Sequence, residues 1–185
     1  MALTKTPVCD FGKKAQEFKL KSTNNKLISL SDIKGEKATL IMFICNHCPY
    51  VKAIIKDLAK DCSELKKEGI NSVAIMSNDT INFPEDSFEN MIKFAKSNDF
   101  GETNYLIDET QEIAKKYGAV CTPDFFGYNG DLKLQYRGRY KELKDLKPIN
   151  NADSDLKIAM KMIGQTQKGP DKQIPGMGCN IKWFD

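Results

Sequence analysis

The sequence predicts an α/β domain, a β-sheet with a parallel core flanked by helices. Three observations predict it. Two apolar runs without alternation, residues 38–44 (ATLIMFI) and 70–76 (INSVAIM), read as strands covered on both faces. Between them Val51, Ile54, Ile55, Leu58, Cys62 and Leu65 recur at helical spacing, and Gly69 is placed to end that helix. Strand, helix, strand is a βαβ unit, which favours a right-handed crossover and a parallel pair.

The other elements follow along the chain. Residues 1–17 read as irregular. Residues 18–20 and 26–30 flank the turn signal Thr23-Asn24-Asn25 and predict an N-terminal β-hairpin. Residues 78–86 form a polar loop closing on Pro84-Glu85-Asp86, the chemistry of a helix start. Phe88, Met91, Ile92 and Ala95 then give one apolar helix face. Residues 105–107 read as a short strand and 109–117 as a short helix stopped by Gly118. Residues 125–128 and 132–136 read as strands joined across Asn129-Gly130, a strong hairpin signal. A last helix is expected over 153–163, with Leu156, Ala159, Met160 and Ile163 on one side. Residues 164–185 are a Gly- and Pro-rich tail whose end, Cys179-Asn180-Ile181-Lys182-Trp183-Phe184, is too apolar to stay free and is expected to dock.

Composition narrows the function classes. The 185 residues, 41% hydrophobic and 29% charged, suit one domain, residues 1–185. A chain of this size buries roughly 70% of its unfolded surface and needs no staple to fold. The net charge is +3, and only two of 28 basic residues are Arg, so no nucleic-acid partner is expected. No apolar run approaches the roughly 18 residues of a membrane span, so no membrane partner is expected. The first 20 residues are polar and carry Asp10 and Glu17, unlike a secretory signal, which makes the cytoplasm the expected location. In that reducing setting six cysteines read as redox-active, metal-binding or buried rather than as structural disulfides.

Cys45-Asn46-His47-Cys48-Pro49 stands where a buried strand feeds the amphipathic helix. Two cysteines three apart at a helix start can close a disulfide across one turn. Cys45 is expected at or near the N-cap, where free N–H groups and the positive end of the helix dipole favour a thiolate. His47, the single histidine, lies between the thiols, and in its protonated form it would lower the Cys45 pKa and make the couple more oxidising. Zinc is the competing reading of a CxxC. It needs two more ligands, and there is no second CxxC or CxxH, so Cys121 and Cys179 would have to converge from afar. No metal and no cofactor is expected.

Cys121-Thr122-Pro123 is the second constellation. It precedes the predicted hairpin, and its X-Pro bond is a candidate cis peptide that would present the Thr122 backbone to a disulfide partner; the plainer reading is a turn proline. Arg137 and Arg139, two apart on a strand, share one face as solvated charges or as an anion or carboxylate site. Cys62 reads as a core thiol and Cys9 as exposed and incidental. Cys121 is either a third redox thiol or packing. Cys179 either resolves a disulfide from the tail or packs with Ile181 and Trp183.

The order strand–CxxC–helix, βα, Thr-Pro before a hairpin, and a final helix resembles the thioredoxin fold. Residues 15–20 (AQEFKL) and 28–35 (ISLSDIKG) are similar to the redoxin branch, the alkyl hydroperoxide reductase and thiol-specific antioxidant group. Residues 43–51, 121–124, 136–139 and 178–183 resemble peroxiredoxin-like thioredoxin-family proteins, with CNHCPYV and GCNIKW the specific motifs. The resemblance implies a central mixed sheet, a redoxin insertion over 78–107, Cys45 as attacking thiol, Cys48 as resolving thiol and Pro123 as a cis-proline. The chain departs from true peroxiredoxins, whose pattern is Pro-x-x-x-Thr-x-x-Cys: Met42 holds the Thr place and Ala38 the Pro place, and neither side chain donates a hydrogen bond. The function expected is therefore a thiol–disulfide oxidoreductase working on a protein or small-molecule disulfide or dithiol. A thiol peroxidase using peroxide is the alternative, and a zinc or partner-binding module is a third class.

Overall fold

The computed structural model describes residues 3–7, 10–100 and 102–184. Its strands and helices run β1 (Leu3–Lys5), β2 (Lys19–Ser22), β3 (Leu27–Ser29), α1 (Leu30–Ile33), β4 (Ala38–Phe43), α2 (Pro49–Lys67), β5 (Ile70–Met76), a 3₁₀ turn (Pro84–Asp86), α3 (Phe88–Ser97), β6 (Asn104–Ile107), α4 (Glu112–Tyr117), β7 (Cys121–Thr122), β8 (Asp124–Asn129), β9 (Leu134–Tyr136), β10 (Leu143–Lys144), β11 (Lys147–Pro148), α5 (Asp155–Thr166) and β12 (Met177–Asn180). Cys9, expected to be exposed, lies outside the described residues. No helix is long and apolar enough to cross a membrane.

Seven strands form a mixed sheet in the order β3-β2-β6-β5-β4-β8-β9. β4, β5 and β6 are parallel, while β4–β8 and the flanking pairs are antiparallel. The apolar run of β4 is explained by its place: all six residues are buried, and alternate side chains feed two cores. Leu40 and Met42 join Ile54, Leu58, Met160 and Ile163 of α2 and α5 on one face. Ile41 and Phe43 join Ile33, Ile113 and Tyr117 of α1 and α4 on the other. The predicted N-terminal hairpin is β2–β3, and β2 adds it to the sheet through Lys21↔Ile107 and Ser22↔Leu106.

Several boundaries differ from expectation, each for a local reason. The helix expected from 109 starts at Glu112, because Gln111 takes a left-handed φ of 61° and the Asp108 carboxylate accepts from the N–H groups of Ile113 and Ala114. The last helix opens at Asp155 under a Ser154 cap and runs through Gly164 to Thr166, so the tail starts later than 164. Gly164 lies inside α5, where the helix packs closely on the Ile70 side chain. β10–β11 was not expected from the sequence; two-residue strands leave no periodicity to read.

The tail docks through pairing. β12 lies between β1 and β7, with Cys179 opposite Thr122 and Asn180 opposite Cys121. Beyond it, Asn78 accepts from the Lys182 N–H at 2.9 Å, Asp79 N–H and the Gln111 amide donate to the Lys182 carbonyl at 2.8 and 2.7 Å, and Gln111 accepts from Phe184 N–H at 2.8 Å.

Candidate active site

β4 ends at Phe43, residues 44–48 cross to the helix, and Cys48, not Cys45, is the N-cap of α2, with Pro49 as its first residue. This corrects the expected place of Cys45, which lies three residues before the cap. Both sulfurs are buried; Cys45 is 1% and Cys48 0% exposed. The two thiols are coupled, each altering the other's hold on its proton. Thr122 meets both: its hydroxyl is 3.3 Å from Cys45 Sγ, and its carbonyl accepts from Cys48 Sγ at 3.1 Å. The Thr122–Pro123 peptide is cis.

The pair shares a proton, and its field is uneven. The neighbouring Cys45 thiol holds the Cys48 thiol down at about 5 despite burial, with further help from Val51 and Cys179. The start of a 19-residue helix favours the charge at the same place. The Thr122 carbonyl, which can only accept, opposes this and is outweighed. Cys45 is pushed up by the bond to Cys48, by burial and by the Asp86 carboxylate. The direction is toward Cys48 as the more acidic thiol of the pair, while the Thr122 carbonyl favours its protonated form.

Asp86 is the residue that sequence reasoning missed, having been read only as helix-start chemistry. The 3₁₀ turn brings it, fully buried, under the CxxC loop. It accepts from Asn46 N–H at 2.8 Å, His47 N–H at 3.3 Å and the Asn78 amide at 2.8 Å, and pairs with His47 Nδ1 at 2.7 Å. Asn46 is pinned further, accepting from the Tyr105 hydroxyl at 2.9 Å and donating to the Glu85 carbonyl at 3.0 Å. His47 also stacks on Phe83, with ring centroids 5.8 Å apart. The only hint in the sequence was a run of Asn and Asp in the 78–86 loop, and that composition equally suits a solvated turn.

The His47 imidazole thus serves Asp86 first. Its bond to Asp86 raises the His47 pKa against the pull of burial. Burial works against ionised Asp86, but the bonds from His47 and Asn78 prevail and hold it below the ordinary 3.8. The signs give a window. The His47 contribution to stability is complete below 6.5 and is lost as pH rises through its higher folded value; the Asp86 contribution is complete above 3.8 and is lost as pH falls through its lower folded value. Asp86→Asn should bring His47 back toward 6.5 and make the Cys45 thiol more acidic, because a carboxylate facing both is gone. NMR titration of the single His ring, with alkylation of Cys45 across pH, measures both shifts.

The remaining cysteines separate by face. Cys62 is buried in the core and pushed up to about 12 by desolvation. Cys121 alternates away from Thr122, and its Sγ donates to the Pro123 carbonyl at 3.5 Å. Cys179 joins the cluster of Cys45, Cys48 and Val51, whereas Ile181 belongs to the opposite core and Trp183 is 38% exposed, so Cys179 does not pack with them as the plainer reading had it. All five described cysteines are free thiols. Among the described residues one group has metal-ligand spacing, Cys45, His47 and Asp86, with ligand atoms within 4.8 Å of one another. Asp86 and His47 are already committed to each other, and Cys121 and Cys179 are not part of that group.

Arg137 corrects another expectation. It is not a solvated strand charge but is buried beside Asp124 at 3.0 Å, donates to the Gly118 carbonyl at 2.7 Å and lies 4.4 Å over the Phe126 ring. Arg139 points elsewhere, to Asp155 and Glu142. A cavity of about 500 Å³ opens beside the couple, lined by Tyr50, Pro123, Phe125, Tyr140, Ile174 and Met177. Neither redox sulfur lines it; their neighbours Tyr50 and Pro123 do.

The AhpC/TSA family is matched over residues 11–140. An uncharacterized conserved protein from Geobacillus kaustophilus is 39% identical, with a TM-score of 0.92, over 100% of this chain and 97% of that one. A hypothetical protein from Sinorhizobium meliloti 1021 is 36% identical, with a TM-score of 0.90, over 98% of each chain. The thioredoxin domain of a thiol-disulfide oxidoreductase from Bacteroides vulgatus is 18% identical over 69% of this chain and 86% of that one, with a TM-score of 0.58, a likeness of fold. Among curated proteins none matches.

Proposed function

The chain belongs to the AhpC/TSA family of thioredoxin-like redoxins, and from that premise we propose that it is a thiol–disulfide oxidoreductase whose redox couple is Cys45–Cys48. The observation that carries this reading is a pair of buried thiols, Cys45 just ahead of α2 and Cys48 at its N-cap, that both meet Thr122. Cys45 attacks the partner disulfide while its proton passes to Cys48. The first departing partner thiolate takes that proton, Cys48 attacks the Cys45 sulfur, and the second partner sulfur leaves as a thiolate that takes a proton from water, so the partner ends as a dithiol and Cys45–Cys48 is left oxidised. An external dithiol restores the reduced pair, and a reducing compartment such as the cytosol supplies one. The cavity beside Pro123 is the place for the partner.

Cys45→Ser should abolish reduction of a small disulfide. Cys48→Ser should instead trap the partner as a stable mixed disulfide on Cys45, seen as added mass on the peptide of residues 38–52. A mixed disulfide that forms on Cys48 in the Cys45→Ser protein and not in the reverse variant would exchange the two roles.

A further inference from the structure

Resting on the Cys45–Cys48 reading, we propose that Cys179 is a third redox thiol, which attacks Cys48 in the Cys45–Cys48 disulfide and moves the bond to Cys48–Cys179. The register of β12 on β7 sets this up. Cys179 is directly opposite Thr122, and directly opposed residues of an antiparallel pair project to the same face. That face is the one from which the Thr122 hydroxyl meets Cys45 and its carbonyl meets Cys48. Cys179 is buried in the same cluster as Cys45 and Cys48, and the Cys48 and Cys179 thiols act on each other's protons, so Cys48 has a thiol on either side. Cys121, the other candidate, pairs with Asn180, and its Sγ donates to the Pro123 carbonyl.

The tail is seated closely enough for exchange. A β-carbon at Gly178 would overlap the Thr122 carbonyl, so only glycine lets β12 approach the Thr122–Pro123 backbone at this distance. The bonds of Lys182 to Asn78, Asp79 and Gln111 fix the far end. The backbone that would be presented to an external disulfide partner is thus paired with a cysteine of the chain itself.

The step is an isomerisation. Cys179 loses its proton and forms a bond to Cys48, the Cys45–Cys48 bond breaks, and Cys45 leaves as a thiolate that takes up a proton. Two electrons stay removed from the three-thiol set throughout, and no further oxidant is needed. The result ties β12 to the site and returns Cys45 as a thiol while Cys48 keeps the oxidising equivalent.

Peptide mapping tests this on the full-length protein. The reduced protein is oxidised with stoichiometric oxidised glutathione, quenched in acid, alkylated, isolated as the monomer and cut with trypsin. Residues 38–52 carry Cys45 and Cys48 on one peptide, and 173–182 carry Cys179. A disulfide-linked pair of these peptides joined through Cys48, with Cys45 alkylated, is expected, and it is lost in each of Cys45→Ser, Cys48→Ser and Cys179→Ser. An internal disulfide in 38–52 as the sole product overturns the proposal and leaves the couple standing. Two alkylated thiols on 38–52 would overturn the couple as well. A link made through Cys45, or found only between chains, also overturns it.

Discussion

Replacing Arg137 by Met should lower the unfolding free energy by about 3–5 kcal/mol, the usual cost of stranding one partner of a buried ion pair. Arg137 is 3% and Asp124 0% exposed, so water cannot take over the lost bonds. Burial already raises the Asp124 pKa, and Arg137 is what opposes that rise. A carboxyl whose pKa is higher folded than unfolded weighs against folding above its ordinary 3.8 and not below it. The deficit of the variant should therefore shrink as pH falls toward 4, and a second change, Asp124→Leu, should recover most of it. Denaturant unfolding at two pH values measures this. A loss below about 1 kcal/mol, the range of exposed pairs, would mean that the pair is solvated after all. The site should suffer too, because Asp124 also accepts from Val120 N–H at 3.1 Å and so helps to hold the loop that carries Thr122 and Pro123.

The same pair marks the limit of what the sequence discloses. Residues 38–44 and 70–76 announce buried strands because both of their faces are covered, and the helix between them shows its stripe because one face meets solvent. Such periodicities are local, and so they are legible. The CxxC was equally plain, since strand, turn and helix are neighbours along the chain. Asp124, at the start of β8, and Arg137, just past β9, are 13 residues apart, and nothing in either segment says that both point inward. Asp86 reaches His47 across 39 residues, and Cys179 reaches Thr122 across 57, through contacts that only the folded chain makes. The expected N-cap at Cys45 failed for a smaller reason. Pro49 fits the first helical position, which places the cap on the residue before it.

Hydrogen peroxide should oxidise the reduced protein at least about a hundredfold more slowly than a small disulfide does. Reducing a peroxide needs donors aimed at the oxygen that departs with negative charge, and such donors are worth roughly 3–4 kcal/mol, or hundreds-fold in rate. At the place where the peroxiredoxin pattern has Thr, this chain has Met42, whose side chain is buried in the core beside Leu40. Thr122 does bring one hydroxyl to 3.3 Å from Cys45 Sγ. No Arg accompanies it, since Arg137 is held by Asp124 and Arg139 by Asp155 and Glu142. The charged group that does face Cys45 is the Asp86 carboxylate, which opposes negative charge at that sulfur and would oppose it on a nearby oxygen. Disulfide exchange asks less, because the departing thiolate is a large anion that leaves readily when its pKa is low. The comparison is a pair of second-order rates on the reduced protein, each abolished by Cys45→Ser. A peroxide rate above the disulfide rate would falsify the ordering and make the chain a thiol peroxidase. Thr122→Val would then be the variant to lose it, because its hydroxyl would be the donor the ordering had undervalued.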